Sequence, residues 1–226
     1  MAKRIEPYRD YSEHDVVNNF ALDTADKFDG SDTTAVTLTS WAQGASAGDF
    51  DAGVVVYVSA GSLPGDSPAQ SSAGGDKLRS YMGASHSTAN IGYAAYPYND
   101  MLVAPASGQG PALGITLRET LAYDENGEKM LYYPQKADEA QAVLPGQSVP
   151  VLTAGTVLLN ENAFTSNPAL GQALNPSTVS DAAAGKLVPQ ATADAMTVGH
   201  VIATGVNSDD GGKSKFLCRL NFNGGK

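Results

Sequence analysis

Short β-forming segments, separated by clusters of turn-forming residues, constrain the fold of this chain more than any other feature. The clearest is KFLCRLNF at 215–222, in which bulky apolar side chains occupy every second position. Such alternation is typical of a strand that buries one face. Glycine, serine and proline fill the stretches between segments, for example AGSLPGDSPAQSSAGG at 60–75. This spacing predicts a mainly β body, a sandwich or small barrel, rather than alternating βαβ units.

The remaining regular elements are also short. The other predicted strands are GVVVYVSA at 53–60, ITLRETLAY at 115–123, VPVLTAGTVLLN at 149–160, divided by a turn near Gly155, and VGHVIATG at 198–205. Asn126-Gly127 favours a type I′ turn, so 115–123 is expected to form a hairpin with KMLYYP at 129–134. The few short helices are predicted at DVVNNFAL (15–22), DKLRSYMG (76–83) and KADEAQAV (136–143).

The N-terminal stretch RIEPYRDYSEHDVVNNFAL, at 4–22, differs from the rest of the chain. Aromatic and apolar side chains lie among charges of both signs without a regular period, and Pro7 opposes an early helix. We therefore divide the chain into an extended N-terminal arm, 1–27, and a β-rich body, 28–226. The alternative is that the arm folds back on its own body as a strand or a short helix.

Charge is distributed unevenly along the chain. The net charge is −10; residues 1–9 carry +2 and residues 211–226 carry +4, which leaves −16 for residues 10–210. Because a body with this negative charge repels the phosphate backbone of nucleic acids, we expect no nucleic-acid partner. No apolar run reaches the length of a signal peptide or a membrane helix, so the sequence predicts a soluble protein made in the cytoplasm, without a membrane partner.

The sequence shows no catalytic or metal-binding signature. His86 lies between two serines in GASHS, but no Gly-x-Ser-x-Gly pattern surrounds it, and His14 and His200 are far apart along the chain. Acidic clusters such as DENGE match turns better than a calcium loop, and no phosphate-binding glycine motif occurs. Cys218 falls on the apolar face of its strand and is predicted to be a core residue. We therefore expect no enzyme, no catalytic residue, no metal and no cofactor.

Several segments together carry a family resemblance. They are the arm ending in NNFALD (18–23), GVVVYVSA, VLTAGTVLLN, the pattern GKLVPQ … VGHVIATG (185–205) and the last strand KFLCRLNF. In this layout the chain resembles the head-decoration, or cement, proteins of tailed bacteriophages. The resemblance implies a β-tulip-type barrel or sandwich, a homotrimer, and a place on the outer capsid surface of the virion, where the protein would bind the major capsid protein and reinforce its contacts.

Two groups of residues are candidates for binding. Aromatic and apolar residues of the arm are expected to contact the capsid: Ile5, Tyr8, Tyr11 and Phe20. The segment YAAYPYND at 93–100 supplies tyrosines for an oligomer interface: Tyr93, Tyr96 and Tyr98. The same tyrosines leave a second hypothesis open, a receptor- or carbohydrate-binding head fibre or appendage in which they stack on sugars. A hydrolase is a third reading.

Overall fold

A computed structural model describes most of the predicted strands. The described residues are 4–22, 52–61, 101–108, 110–120, 134–139, 142–143, 148–179, 183–207 and 212–223. In these ranges the strands are β1 Ile5–Asp10, β2 Val16–Leu22, β3 Val55–Gly61, β4 Met101–Pro105, β5 Ala112–Thr116, β6 Ser148–Leu152, β7 Ala154–Asn160, β8 Ala173–Pro176, β9 Leu187–Gln190, β10 Gly199–Asn207 and β11 Lys213–Asn221. Helical structure there is limited to α1, Pro134–Glu139, and the 3₁₀ turns Glu13–Asp15 and Glu161–Ala163. The prediction of a mainly β protein is confirmed.

The strands form two sheets. The first has the order β1-β7-β11-β10-β8-β9, with every neighbouring pair antiparallel. The second has the order β2-β4-β3-β5-β6, and β6 pairs in turn with β2. Only β2 and β4 run parallel among these pairs. Across the described ranges, no helix is long and apolar enough to cross a membrane.

The core of the first sheet follows directly from the alternation in β11. Phe216, Cys218 and Leu220 are buried, whereas Arg219 on the opposite face is exposed. The ring of Phe216 meets that of Phe164 edge to face, with centroids 5.2 Å apart. Full burial of such side chains contributes about 1.5–3 kcal/mol each, which makes this strand a main source of stability. The predicted core position of Cys218 is confirmed.

The segment 149–160 breaks near the predicted point and joins the two sheets. β6 ends at Leu152 in the second sheet, and β7 begins at Ala154 in the first, so Thr153 is the only residue between them. Gly155 has φ +151°, a conformation that side-chain-bearing residues rarely adopt. The predicted turn therefore carries the chain from one sheet to the other rather than closing a hairpin.

The N-terminal arm is integrated into both sheets, as the alternative to a free arm anticipated. β1 is the outer strand of the first sheet beside β7, and β2 pairs with β6 and β4 in the second. Ile5 belongs to the main core, Arg4 is 2% exposed, and the Asn160 amide donates to the Arg4 carbonyl at 2.7 Å. The boundary drawn after residue 27 thus does not separate residues 4–22 from the body, because their backbone and apolar side chains complete the body's own sheets.

Three local predictions differ from the structure. Residues 16–22 form β2 rather than a helix, because adjacent β-branched residues suit a strand and β6 offers a pairing partner. β5 ends at Thr116, short of residue 123, and Thr120 instead makes an isolated parallel bridge to Val143. α1 overlaps the helix predicted at 136–143 but begins at Pro134, and residues 142–143 are not helical. The hairpin turn at 124–128 and the helix at 76–83 lie outside the described residues.

Candidate functional site

The four arm residues expected to bind a partner have different environments. Ile5 is 7% exposed and packs in the main core, and Phe20 is half-buried against the core of the second sheet. Tyr8 and Tyr11, by contrast, are 55% and 37% exposed. Of these four residues, the two tyrosines therefore offer the most exposed side chains to another molecule. We call Tyr8 and Tyr11 the tyrosine pair.

Tyr11 lies against a glycine that makes room for it. A methyl group added at Gly155 would lie 2.7 Å from Cβ of Tyr11 and 3.2 Å from the carbonyl oxygen of Asp10. Two non-bonded carbon atoms do not approach to 2.7 Å, so a side chain at residue 155 would require Tyr11 or its backbone to shift. The start of β7 therefore lies in close contact with Tyr11 and the end of β1, an approach that glycine at 155 permits.

The chain after Tyr11 is fixed by hydrogen bonds. The Ser12 side chain accepts from the His14 amide at 3.3 Å and caps the 3₁₀ turn. Thr153 then donates to the Asp15 carbonyl through its amide, at 2.7 Å, and through Oγ1, at 2.9 Å. Thr153 is the residue that joins the two sheets, so the corner following Tyr11 is anchored at the junction of the fold.

Tyr8 lies on a part of β1 that departs from regular pairing. The register between β1 and β7 shifts between Ile5 and Arg9, and Pro7 lies within that interval. Arg9, after this interval, donates from Nη1 to the Leu117 carbonyl at 3.2 Å. This hydrogen bond links β1 to the residue that follows β5 of the second sheet. An irregular outer strand with proline resists further strand pairing, so this margin offers side chains rather than backbone for recognition.

The residues singled out for metal or nucleophile chemistry have ordinary surroundings where the structure describes them. His14 and His200 are both exposed, at separate places in the chain, and no group of three or more metal-ligating side chains occurs among the described residues. Burial raises the pKa of the Cys218 thiol to about 12, which keeps it protonated and unreactive at neutral pH. His86 lies outside the described residues, as do Tyr93, Tyr96 and Tyr98.

Sequence reasoning missed a polar network that fixes the loop between β9 and β10. Asn175 is buried, and its Nδ2 donates to both carboxylate oxygens of Asp194, at 3.0 and 2.9 Å. Thr197 donates from Oγ1 to Oδ1 of Asn175 at 3.0 Å, and the Met196 amide donates to Asp194 at 2.8 Å. These donors lower the pKa of Asp194, the Met196 amide most of all. The spacing of Asp194 and Thr197 was the available signal, because both side chains close local turns.

Comparisons with protein-family models, with curated proteins and with solved structures find no match to this chain.

Proposed function

We propose that this protein is a capsid decoration, or cement, protein of a tailed bacteriophage. It binds the outer surface of the phage head as a homotrimer and reinforces contacts between major capsid proteins. It is made in the host cytoplasm and ends on the outer surface of the virion. In this proposal the two sheets form a β-tulip-type body, a finer description than the mainly β architecture.

The observation that supports this function is the tyrosine pair, with Tyr8 on the outer strand β1 and Tyr11 directly after its end. Two large aromatic side chains are exposed next to residues that the core and the Asp15 hydrogen bonds hold in place. Tyrosine combines apolar contact area with a polar tip and is enriched at protein interfaces. An exposed aromatic pair beside anchored backbone is the arrangement expected of a docking surface.

The energetics favour this margin over a flexible arm. Ordering a free segment costs about 1–2 kcal/mol per residue, which would offset most of the gain from burying its side chains. Here β1 is already folded, so burial of each tyrosine contributes about 1.5–3 kcal/mol without that loss. A homotrimer presents three such pairs at once, and the later contacts form at high effective concentration.

Co-sedimentation of the purified protein with expanded, undecorated heads tests the proposal. The double substitution Tyr8→Ala and Tyr11→Ala should weaken binding more than about tenfold, since a loss of 1.4 kcal/mol already accounts for that factor. Replacing both tyrosines by Phe retains most of the contact area and should retain most of the binding. Val179→Ala, at a position 52% exposed outside the outer strand, is the matched control.

Each variant is first checked by thermal unfolding. Because Tyr8 and Tyr11 are exposed, the double Ala variant should keep a melting temperature close to that of the unaltered protein. Undiminished binding by this folded variant would contradict the assignment of the tyrosine pair. Absence of binding by the unaltered protein to any expanded head would contradict the proposed function.

A further inference from the structure

The exposed surface around the tyrosine pair is negatively charged. Residues 7–15 contain three acidic residues and one arginine, Arg9, so their formal charge is −2 with His14 counted as neutral. Two of the acidic residues, Asp10 and Glu13, are exposed. Each tyrosine of the pair therefore lies within two residues of an exposed carboxylate.

The arginine of this segment does not offset that charge at the surface. Arg9 is only partly exposed, and its Nη1 donates to the Leu117 carbonyl, so its side chain points toward the second sheet. Because successive side chains of a strand point to opposite faces, Tyr8 and Asp10 both point away from the second sheet. Alternate residues of a strand lie about 7 Å apart, so one side chain of a partner can contact both the Tyr8 ring and the Asp10 carboxylate.

An aromatic ring beside a carboxylate favours a cationic partner. The face of a tyrosine ring attracts guanidinium and ammonium groups. A carboxylate accepts charge-assisted hydrogen bonds from the same groups, and it accepts two in parallel from arginine. Both contacts favour a surface that carries arginine or lysine, and an acidic surface would be repelled.

We propose that the tyrosine pair docks on a basic surface of a protein partner. Arginine or lysine side chains of that surface lie over the tyrosine rings and pair with Asp10 and Glu13. The inference rests on the proposed function, because it specifies the charge of the surface that the tyrosine pair contacts on the head. Charge, as well as apolar contact area, then determines the affinity.

An exposed cation, Arg219, lies on the same face of the first sheet. Asp10 is opposite Thr156, and Thr156 is opposite Arg219, so Asp10 and Arg219 are separated by two strand spacings, about 10 Å. At low ionic strength a charge at this distance repels an incoming cation. Replacing Arg219 by a neutral residue should therefore strengthen the binding of a basic partner.

Co-sedimentation with expanded heads tests the charge of the partner surface. Asp10→Asn combined with Glu13→Gln should weaken binding about fivefold or more, because two exposed charge pairs are lost. The matched control is Asp138→Asn combined with Glu139→Gln, which removes the same two charges from exposed positions of α1. Raising the salt concentration from about 0.1 M to about 1 M shortens the Debye length from about 10 Å to about 3 Å and should remove most of the difference.

A hexa-arginine peptide tests the same surface in the absence of heads. In NMR spectra the peptide should shift the ring signals of Tyr8 and Tyr11, whereas a hexaglutamate peptide should not. Asp10→Asn combined with Glu13→Gln should bind the hexa-arginine peptide about fivefold more weakly than the matched control does. Arg219→Gln should bind it more tightly than the unaltered protein does.

The outcomes separate this inference from the proposed function. If the variant at Asp10 and Glu13 and its matched control bound heads or the peptide equally well, the inference would be overturned, while binding of heads by both would leave the capsid function supported. Weaker peptide binding by Arg219→Gln would also overturn it. Failure of the unaltered protein to bind any expanded head would instead contradict the proposed function, and the peptide measurements would then decide the charge of the partner surface.

Discussion

Ile5→Ala should destabilise the folded protein strongly, because Ile5 is a core residue rather than part of a free arm. The side chain is 7% exposed and packs in the main core, and truncation of buried isoleucine to alanine typically costs 2–5 kcal/mol. Since β1 is an outer strand whose surroundings can partly relax, we expect about 3 kcal/mol. For a chain of this size, that loss lowers the melting temperature by roughly 6–12 °C.

Thermal and urea unfolding followed by circular dichroism measure this effect. Ile5→Val gives a graded comparison, with an expected cost of about 0.5–1.5 kcal/mol. Tyr8→Ala is the matched control on the same strand, and because its side chain is exposed it should change stability by less than about 0.5 kcal/mol. If Ile5→Ala destabilised the protein as little as Tyr8→Ala, β1 would not be docked on the body, and the tyrosine pair would not be preformed.

Three further measurements address other parts of the structure. Gly155→Ala should cost on the order of 1–3 kcal/mol in urea unfolding, because of its φ of +151° and the approach of Tyr11; a neutral effect would contradict that geometry. Cys218, buried and with a pKa raised to about 12, should resist iodoacetamide in the native protein and react after unfolding; rapid native alkylation would contradict its burial. The lowered pKa of Asp194 stabilises the fold at pH values above the pKa of the unfolded state, and this contribution is lost as the pH falls through the folded pKa. Asp194→Ala should therefore be less stable than the unaltered protein at neutral pH, and the difference in free energy of unfolding should narrow in acid. A difference that does not change with pH would contradict the role of the Asn175 network.

The sequence alone predicts a strand and its buried face where apolar residues alternate regularly along that strand. Alternation around Phe216 and Cys218 identifies both the strand and its inner face, because a period of two has no helical equivalent. Gly155 correctly indicates the position of the break in 149–160. It does not indicate that the break joins two sheets. β6 and β7 pair with different strands, and those partners are distant in sequence. A local sequence pattern therefore cannot predict the pairing.

The N-terminal segment shows why the candidate site was only partly predictable. The sequence predicts a short helix at 15–22, but Ser12 caps a 3₁₀ turn, and β2 follows because β6 provides a partner. The sequence offers no means of separating Ile5 from Tyr8, because both are large and lie among charges. Whether each faces the core depends on the irregular register with β7, and that register is a property of the folded pair rather than of the segment.

Cryo-electron microscopy of expanded heads incubated with the purified protein determines whether the protein binds the head and through which residues. We predict density for three copies at three-fold or quasi-three-fold positions on the outer surface, with Tyr8 and Tyr11 of each copy against the major capsid protein. Heads without added density, or bound copies whose tyrosine pair faces solvent, would contradict it.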